Sequence, residues 1–272
     1  YNKRIADAEP YGKIIKTPYV KIVYNTNDED KRYSLGFPDV FEILSITDFN
    51  GKDVTNSFVL RTNQKDNFYD RSYIEFVPGA VEPSDGPLTV QMRVFKLDTA
   101  SGIYFFTAAS YPVSSSTFDS TDIPIFESSI GNRYNLKNCF DFRPHVQKAP
   151  NADFEANDPA TAPTISVGIN EEPTFTGGYL TPAVGQSATV DFEYYFTRID
   201  SVVLDSYGKF SIIKGQESEK STPANVKDKF KVAEIQIPGR DALTPQEAGE
   251  KQRPDSAIRL TPRGVKNYTM KE

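Results

Sequence analysis

The sequence predicts an all-β protein with two small β-sandwich-like domains, a long extended connector between them, and extended terminal arms. Apolar and polar residues alternate along many short runs, most regularly in Leu88–Phe95, and a period of two is typical of a strand with one buried face. The 272 residues include 19 Pro and 16 Gly, which favour many turns and short strands. Phe and Tyr raise the aromatic content to 12% without any Trp, so aromatic rings can supply part of the core.

The first domain is predicted over residues 14–111, after an N-terminal arm formed by residues 1–13. Asn50-Gly51 follows one apolar run and is a strong hairpin signal. Strand-like runs separated by turn residues are typical of a sandwich. The predicted strands are Tyr19–Tyr24, Val40–Thr47, Phe58–Leu60, Tyr73–Val77, Leu88–Phe95 and Ile103–Thr107.

Residues 112–163 are predicted to form an extended, proline-rich connector. Prolines such as Pro124, Pro144 and Pro159 are incompatible with continuous central strands. A segment of this length without regular structure is uncommon in a compact domain. Because the connector also carries apolar residues that need burial, we expect it to pack along its neighbours. These residues are Ile123, Ile125, Phe126, Phe140 and Phe142.

A second β domain is predicted over residues 164–238. In the run Ala188–Phe196, alternate apolar residues share one face. Ser201–Asp205 and Lys209–Ile213 flank a Ser-Tyr-Gly turn and are predicted to form a hairpin. Lys231–Ile237 is a further alternating strand. Residues 239–272 are interpreted as a C-terminal arm that leads into an absent downstream region, with a short helix near residues 245–248.

Composition argues against several classes of protein. The net charge is −6 with no basic block, whereas nucleic-acid binding calls for a concentrated positive patch. No apolar run approaches the ~20 residues that span a bilayer, so neither nucleic-acid binding nor membrane insertion is expected. Cys139 is the only cysteine, which excludes an intrachain disulfide and with it a disulfide-stapled secreted module.

No residue pattern predicts catalysis, a cofactor or a metal site. His145 is the only histidine, and the extended setting of Cys139 and His145 around Pro144 does not favour a nucleophile–base pair. One Cys and one His do not supply the four ligands of a structural zinc site. The acidic residues of Asn27–Asp30 are interpreted as a solvated turn, although hard cations bind such oxygens. A carboxylate pair for glycoside hydrolysis does not stand out.

The loop Lys65–Asp70 permits two interpretations. Phe68 and Tyr69 lie among Asx residues, whose side chains commonly bond to nearby amides in loops. In the first interpretation these rings fill the base of the sandwich. In the second they form part of a docking surface for another chain, because buried aromatic anchors serve both roles. We favour the first.

A series of motifs in fixed order resembles a family of virion structural proteins of contractile-tailed bacteriophages. The family includes cyanophage proteins described as baseplate wedge or tail structural proteins. The resemblance covers roughly residues 45–272. Its motifs are Asp48–Thr55, Asn63–Asp70, Gly86–Val90, Gly102–Phe105 with Ser110-Tyr111, Phe140–Pro144, Phe192–Asp205, Gly208–Phe210, Ile213–Gly215 and Tyr268–Lys271.

This resemblance implies assembly and not catalysis. The expected function is a structural subunit of a contractile tail, with the baseplate wedge as first choice and a tail-fibre attachment or the neck as other positions. The expected partners are other tail or baseplate proteins in a multi-copy symmetric assembly. We therefore expect the chain to be located in the virion after assembly in the host cytoplasm. The candidate interface residues are Phe126, Tyr134, Phe140, Phe142, Arg143, Phe68 and Tyr69.

Two alternatives remain at this point. A receptor- or carbohydrate-binding tail-fibre module would show an exposed cluster of tyrosines, because aromatic rings stack on sugars. A polysaccharide hydrolase would need a carboxylate pair and is the weaker alternative.

Overall fold

The computed structural model describes residues 9–98, 102, 105–113, 117–175, 194–239 and 242–263. It divides into two compact units, residues 1–190 and residues 191–272. The regular structure of both units consists mainly of antiparallel sheets, and the only α-helix in the described ranges is short. The predicted all-β fold class is therefore confirmed.

The first sheet of unit 1 is built around one long strand, β7 (Gly86–Asp98). Strands β1 (Gly12–Lys16) and β2 (Tyr19–Tyr24) pair with successive parts of one side of β7. Strand β4 (Val40–Thr47) pairs with the other side. β2 and β4 have the predicted bounds, whereas β1 begins inside the segment that we predicted as an arm.

The second sheet contains β3 (Arg32–Pro38), β6 (Arg71–Phe76) and β5 (Phe58–Arg61), in that order. Apolar side chains from both sheets form one core, which includes Val20, Leu35, Ile46, Ile74 and Val90. This is the sandwich arrangement predicted for the first domain. β3 was not predicted although Tyr33, Leu35 and Phe37 alternate along it, because Gly36 and Pro38 are residues that are unfavourable inside strands. Most of β3 is buried.

Residues 112–163 lie within unit 1. As predicted, this connector packs along its neighbours. Ala149 and Ala152 contribute to the sandwich core, and Ile123 is fully buried. Its chain makes isolated β-bridges from Asp141 to Phe106 and from His145 to Tyr69, and Thr164, just beyond it, bridges Lys21. It also contains a small hairpin of β8 (Ile125–Glu127) and β9 (Arg133–Asn135). The division between the compact units therefore falls later than our predicted boundary at residue 164.

Unit 2 contains a four-stranded antiparallel sheet in the order β11 (Phe210–Ile213), β10 (Arg198–Leu204), β12 (Phe230–Ile237), β13 (Arg259–Pro262). The predicted hairpin and the strand Lys231–Ile237 match β10, β11 and β12 closely. Most of the predicted strand Ala188–Phe196 lies outside the described residues, and residues 194–196 are not in a strand. The ranges described in this unit contain one sheet and not the two layers of a sandwich.

The predicted short helix is present as α1 (Pro245–Glu250). The Thr244 side chain caps it by accepting a hydrogen bond from the Glu247 amide. The Glu247 carboxylate in turn accepts a hydrogen bond from the Thr244 amide, which completes a capping box. No helix in the described ranges is long and apolar enough to cross a membrane.

Candidate functional site: a buried charged cluster and exposed apolar surfaces

The extended segment Phe140–His145 presents two different faces. Asp141, Arg143 and His145 are buried, whereas Phe140 and Phe142 are 40% and 45% exposed. Successive side chains of extended backbone point to opposite sides, so the charged residues point inward and the aromatic rings outward. Polar residues usually face solvent and aromatic residues usually face the core, so this segment has the reverse arrangement. It places a polar site inside unit 1.

Lys13 and Asp39 form an ion pair at the centre of this site. Lys13 Nζ lies 2.7 Å from Asp39 Oδ2, and the exposed fractions of the two side chains are 0% and 2%. The second oxygen of Asp39, Oδ1, accepts a hydrogen bond from Gln64 Nε2 at 3.4 Å. Asp39 has a φ of 58°, a left-handed conformation that Asp tolerates better than most residues. The pair links β1 to the turn between β3 and β4.

Aromatic rings surround the Lys13 amine. Its nitrogen lies 4.5 to 5.3 Å from the ring centroids of Phe106, Tyr69, Tyr111 and Phe95. It also donates a hydrogen bond of 3.3 Å to the Tyr111 hydroxyl. Burial alone would lower the pKa of Lys13, but the charge and hydrogen bond of Asp39, together with Tyr111 and Asp141, outweigh it and the pKa is raised. The amine is therefore protonated in this ion pair.

A second ion pair joins Asp141 to Arg143. Arg143 donates to both carboxylate oxygens, at 2.9 and 2.7 Å, and the Tyr69 hydroxyl donates a short bond to the same carboxylate. Burial alone would raise the pKa of Asp141, but the bonds from Arg143 and Tyr69 lower it overall. Burial raises the pKa of Tyr69, so its hydroxyl stays protonated as the donor.

His145 completes what we call the Lys13 cluster, which consists of Lys13, Asp39, Tyr69, Asp141, Arg143 and His145. Its Nε2 lies 3.5 Å from Asp39 Oδ2, and its ring stacks on Phe106 at 5.2 Å. Burial lowers the pKa of His145 to about 4. The imidazole is therefore neutral at pH 7.

The seven candidate interface residues have different positions. Tyr69 and Arg143 lie inside the Lys13 cluster, and neither contributes to the surface of the unit. The guanidinium carbon of Arg143 lies 3.8 Å from the ring centroid of Phe126, which is 9% exposed. Phe68 is half-buried and packs edge-on against Phe175. For Phe68 and Tyr69 the favoured loop interpretation fits this packing.

Three candidates are exposed aromatic residues. Phe140 and Phe142 both pack on the buried ring of Phe105, at 5.8 and 5.7 Å, and their outer faces reach solvent. Tyr134 is 45% exposed on β9. Ile130, which we did not predict, is 79% exposed in the turn of the same hairpin. Asp66 holds this turn by accepting two bonds from Ser129.

Unit 2 has an exposed apolar face that we did not predict from the sequence. Leu204 pairs with both Phe210 and Phe230, Val202 pairs with Ile212, and Ile235 pairs with Leu260. Paired residues project to the same side of a sheet. The apolar face is defined by Phe210, Ile212, Phe230 and Leu260, which are 59% to 63% exposed.

The opposite side of this sheet is covered. Ser201 and Val203 are fully buried, and the Ser201 hydroxyl donates to the Ala224 carbonyl in the segment that follows β11. The sheet of unit 2 is therefore covered on one side at the centre of β10, whereas the other side is open at the four residues of the apolar face.

The described ranges contain no group of three or more His, Cys, Asp or Glu residues that could hold a metal ion. In the acidic turn, Asp28 accepts a bond from the Tyr33 hydroxyl and Asp30 pairs with Arg32. Cys139 donates to the Asn135 carbonyl. Asp28, Asp30 and Cys139, which the sequence analysis considered as possible ligands or as a nucleophile, therefore bond to other groups of the chain.

In comparisons with known proteins, no family model, no curated protein and no solved structure matches the chain.

Proposed function

We propose that the chain is a structural subunit of a contractile bacteriophage tail, placed in the baseplate wedge, and that it acts through protein–protein assembly. The observation that carries the assembly role is the apolar face of unit 2. Contiguous exposed apolar surface is rare on proteins that act alone and is typical of interaction sites. The order of sequence motifs supports the tail, because it resembles that of tail structural proteins.

Unit 1 offers a second contact surface of a similar kind. Phe140, Phe142 and Tyr134 are exposed rings on segments that are fixed from beneath by Phe105 and Phe126. Aromatic residues on a fixed backbone lose little conformational entropy on binding and are frequent hot spots. A subunit with two such surfaces can contact more than one neighbour in a multi-copy assembly.

A complementation experiment tests this proposal. Phage that lack a working copy of this chain are grown with plasmid-encoded variants, and infectious titre is measured with electron microscopy of the particles. The double variant Phe210→Ser and Ile212→Ser should fold but assemble few complete baseplates, so the titre should fall by about tenfold or more, which corresponds to the ~1.4 kcal/mol of a tenfold change in binding.

Tyr207→Ser is the matched control, because Tyr207 is 94% exposed in the β10–β11 turn and lies outside the apolar face. Its titre should equal that of the wild type. Gold-labelled antibody against the chain should mark the baseplate of intact particles. Label on the capsid, or no label on particles at all, would refute the proposed location.

A carbohydrate-binding role is the second candidate, supported by exposed tyrosines in unit 2. Tyr194 and Tyr195 are 55% and 67% exposed, and rings of this kind stack on sugars. A glycan array with the purified chain tests this role. Binding that Tyr195→Ala abolishes would favour it, and an array without hits would remove it.

A further inference from the structure

Lys13 and Asp39 are an amine and a carboxyl group held in contact without solvent. The two groups are 2.7 Å apart, and neither side chain is more than 2% exposed. We propose that Lys13 and Asp39 join in an intramolecular isopeptide bond, which the folded chain forms by itself with the release of one water molecule. This proposal does not depend on the proposed function.

The two oxygens of Asp39 have different surroundings, which assigns their roles. Oδ2 lies against Lys13 Nζ and 3.5 Å from His145 Nε2, whereas Oδ1 accepts from Gln64 Nε2 at 3.4 Å. The nitrogen of Lys13 attacks the carboxyl carbon. Oδ1 remains as the amide oxygen, held by Gln64, and Oδ2 leaves as water.

The protons balance within the pair. The ammonium group carries three protons, of which one stays on the amide nitrogen and two leave with Oδ2 as water. One proton passes directly to Oδ2 across the hydrogen bond of the ion pair. The neutral imidazole of His145 faces Oδ2 and can carry the second. No oxidant, reductant or other co-reactant is needed.

The surroundings favour the condensed product. Two charges buried away from water carry a large desolvation penalty, and the amide removes both charges at once. The rings of Phe95, Phe106 and Tyr111 exclude the water that would reverse the reaction. Fixed contact between two reacting groups raises their effective concentration to ~10⁵ M or more.

The bond would fasten β1 covalently to the turn between β3 and β4. It would close a loop from residue 13 to residue 39, and such a closure stabilises a fold mainly by restricting the unfolded chain.

Mass spectrometry of the purified full chain tests the proposal directly. The intact mass should be lower than the sequence mass by one water in most molecules. Trypsin should release residues 5–16 joined to residues 33–52, because a modified Lys13 is not cleaved. Asp39→Asn gives a second signature, since an amide in place of the carboxyl group would release ammonia and the mass should fall by one ammonia.

Lys13→Arg and Asp39→Ala are the controls and should keep their full sequence masses. His145→Gln should form the bond at least ~100-fold more slowly, which is the lower end of the usual contribution of a general acid or base. A wild-type chain of full mass, with residues 5–13 and 33–52 recovered as separate peptides after long incubation, would overturn the proposal. This outcome is read from the wild-type protein and does not depend on the folding of any variant.

Discussion

At the scale of single residues, the Lys13 cluster concentrates four charged groups inside a β protein. Buried ion pairs add little stability compared with apolar packing, but removing one partner leaves the other unpaired and is strongly destabilising. The cluster therefore makes unit 1 sensitive to particular single substitutions and to pH.

His145 gives unit 1 a pH dependence with a defined sign. Its pKa is about 4 in the folded chain and about 6.5 when unfolded, so the unfolded state binds the extra proton between these values. Stability is therefore fully present above pH 6.5 and falls as the pH decreases towards 4, by about 1.4 kcal/mol per unit. Between pH 7 and pH 5 we expect a loss of about 2 kcal/mol in urea unfolding.

His145→Gln is expected to flatten this slope, because the chain has no other histidine. The same pKa can be read from the single imidazole signal in an NMR titration. An imidazole that titrates near its usual value in the folded chain would contradict this prediction. Asp141 has a lowered pKa. Its contribution to the stability of unit 1 is therefore lost only at more acidic pH, below the range where His145 titrates.

Arg143 is expected to be the most sensitive partner in the second ion pair. Arg143→Met leaves the buried Asp141 carboxylate without its bidentate donor, and the free energy of unfolding should fall by about 3 kcal/mol. Arg61→Met is the matched control, because Arg61 and Glu75 form an exposed pair with side chains 53% and 36% exposed. Arg61→Met should lower the free energy of unfolding by less than about 1 kcal/mol. Equal effects in chemical denaturation would show that the burial of Arg143 is not what matters.

At the scale of structural elements, the connector depends on a close approach at Gly36. This residue has a φ of +75°, and a Cβ placed there would lie 2.8 Å from the Ile165 side chain. The Ala149 amide also donates to the Gly36 carbonyl. β3 therefore requires Gly at this position, both for its backbone conformation and for contact with the connector.

Gly36→Ala should destabilise unit 1 by more than Gly131→Ala. Gly131 also has a left-handed φ, of +83°, but nothing lies near its added Cβ, so its change measures the conformational penalty alone, about 1 kcal/mol. Gly36→Ala adds steric contact with Ile165 and should reach about 2 kcal/mol or more. Thermal unfolding of the two variants separates the steric penalty from the conformational penalty, and equal shifts would mean that the Ile165 side chain yields without strain.

The strands rich in β-branched and aromatic residues were predictable from sequence, whereas β1 and β3 were not. β2 and β4 follow from such residues. β3 also alternates, but its Gly36 and Pro38 are unfavourable inside strands and conceal it. β1 places Lys13 inward and Ile14 outward, a reversal that apolar periodicity cannot signal.

The Lys13 cluster itself could not be predicted, because its members come from distant parts of the chain. Lys13, Asp39, Tyr69 and Asp141 are ordinary residues in their local sequences. Only the pairing of β1 with β7, and the β-bridge from Tyr69 to His145, bring them together. The exposed apolar face of unit 2 has a different reason. β13 lies in the segment that we predicted as an arm, and strand periodicity does not show which apolar residues would lack a cover.

At the scale of the whole molecule, the two compact units predict two separate unfolding transitions. Each unit has its own sheet system, and the chain has one histidine, which is in unit 1. In calorimetry, a change from pH 7 to pH 5 should lower only the transition of unit 1.

Gly215→Ala should act on the other transition. A Cβ at Gly215 would lie 2.1 Å from the Ile199 carbonyl oxygen, a backbone atom that β10 holds in place, so unit 2 should lose several kcal/mol, as in overpacked cores. Single-transition unfolding that responds to both changes together would show that the units unfold as one.

The long strand β7 also determines when unit 1 can form during synthesis. β1, β2 and β4 all precede β7 in the chain and all pair with it, so each of them lacks its partner until the ribosome has made the matching part of β7. Such long-range pairing is typical of slow folding, and the waiting strands expose apolar edges that favour aggregation. Chaperone binding would therefore matter most during synthesis, while the strands that precede β7 wait for their partner.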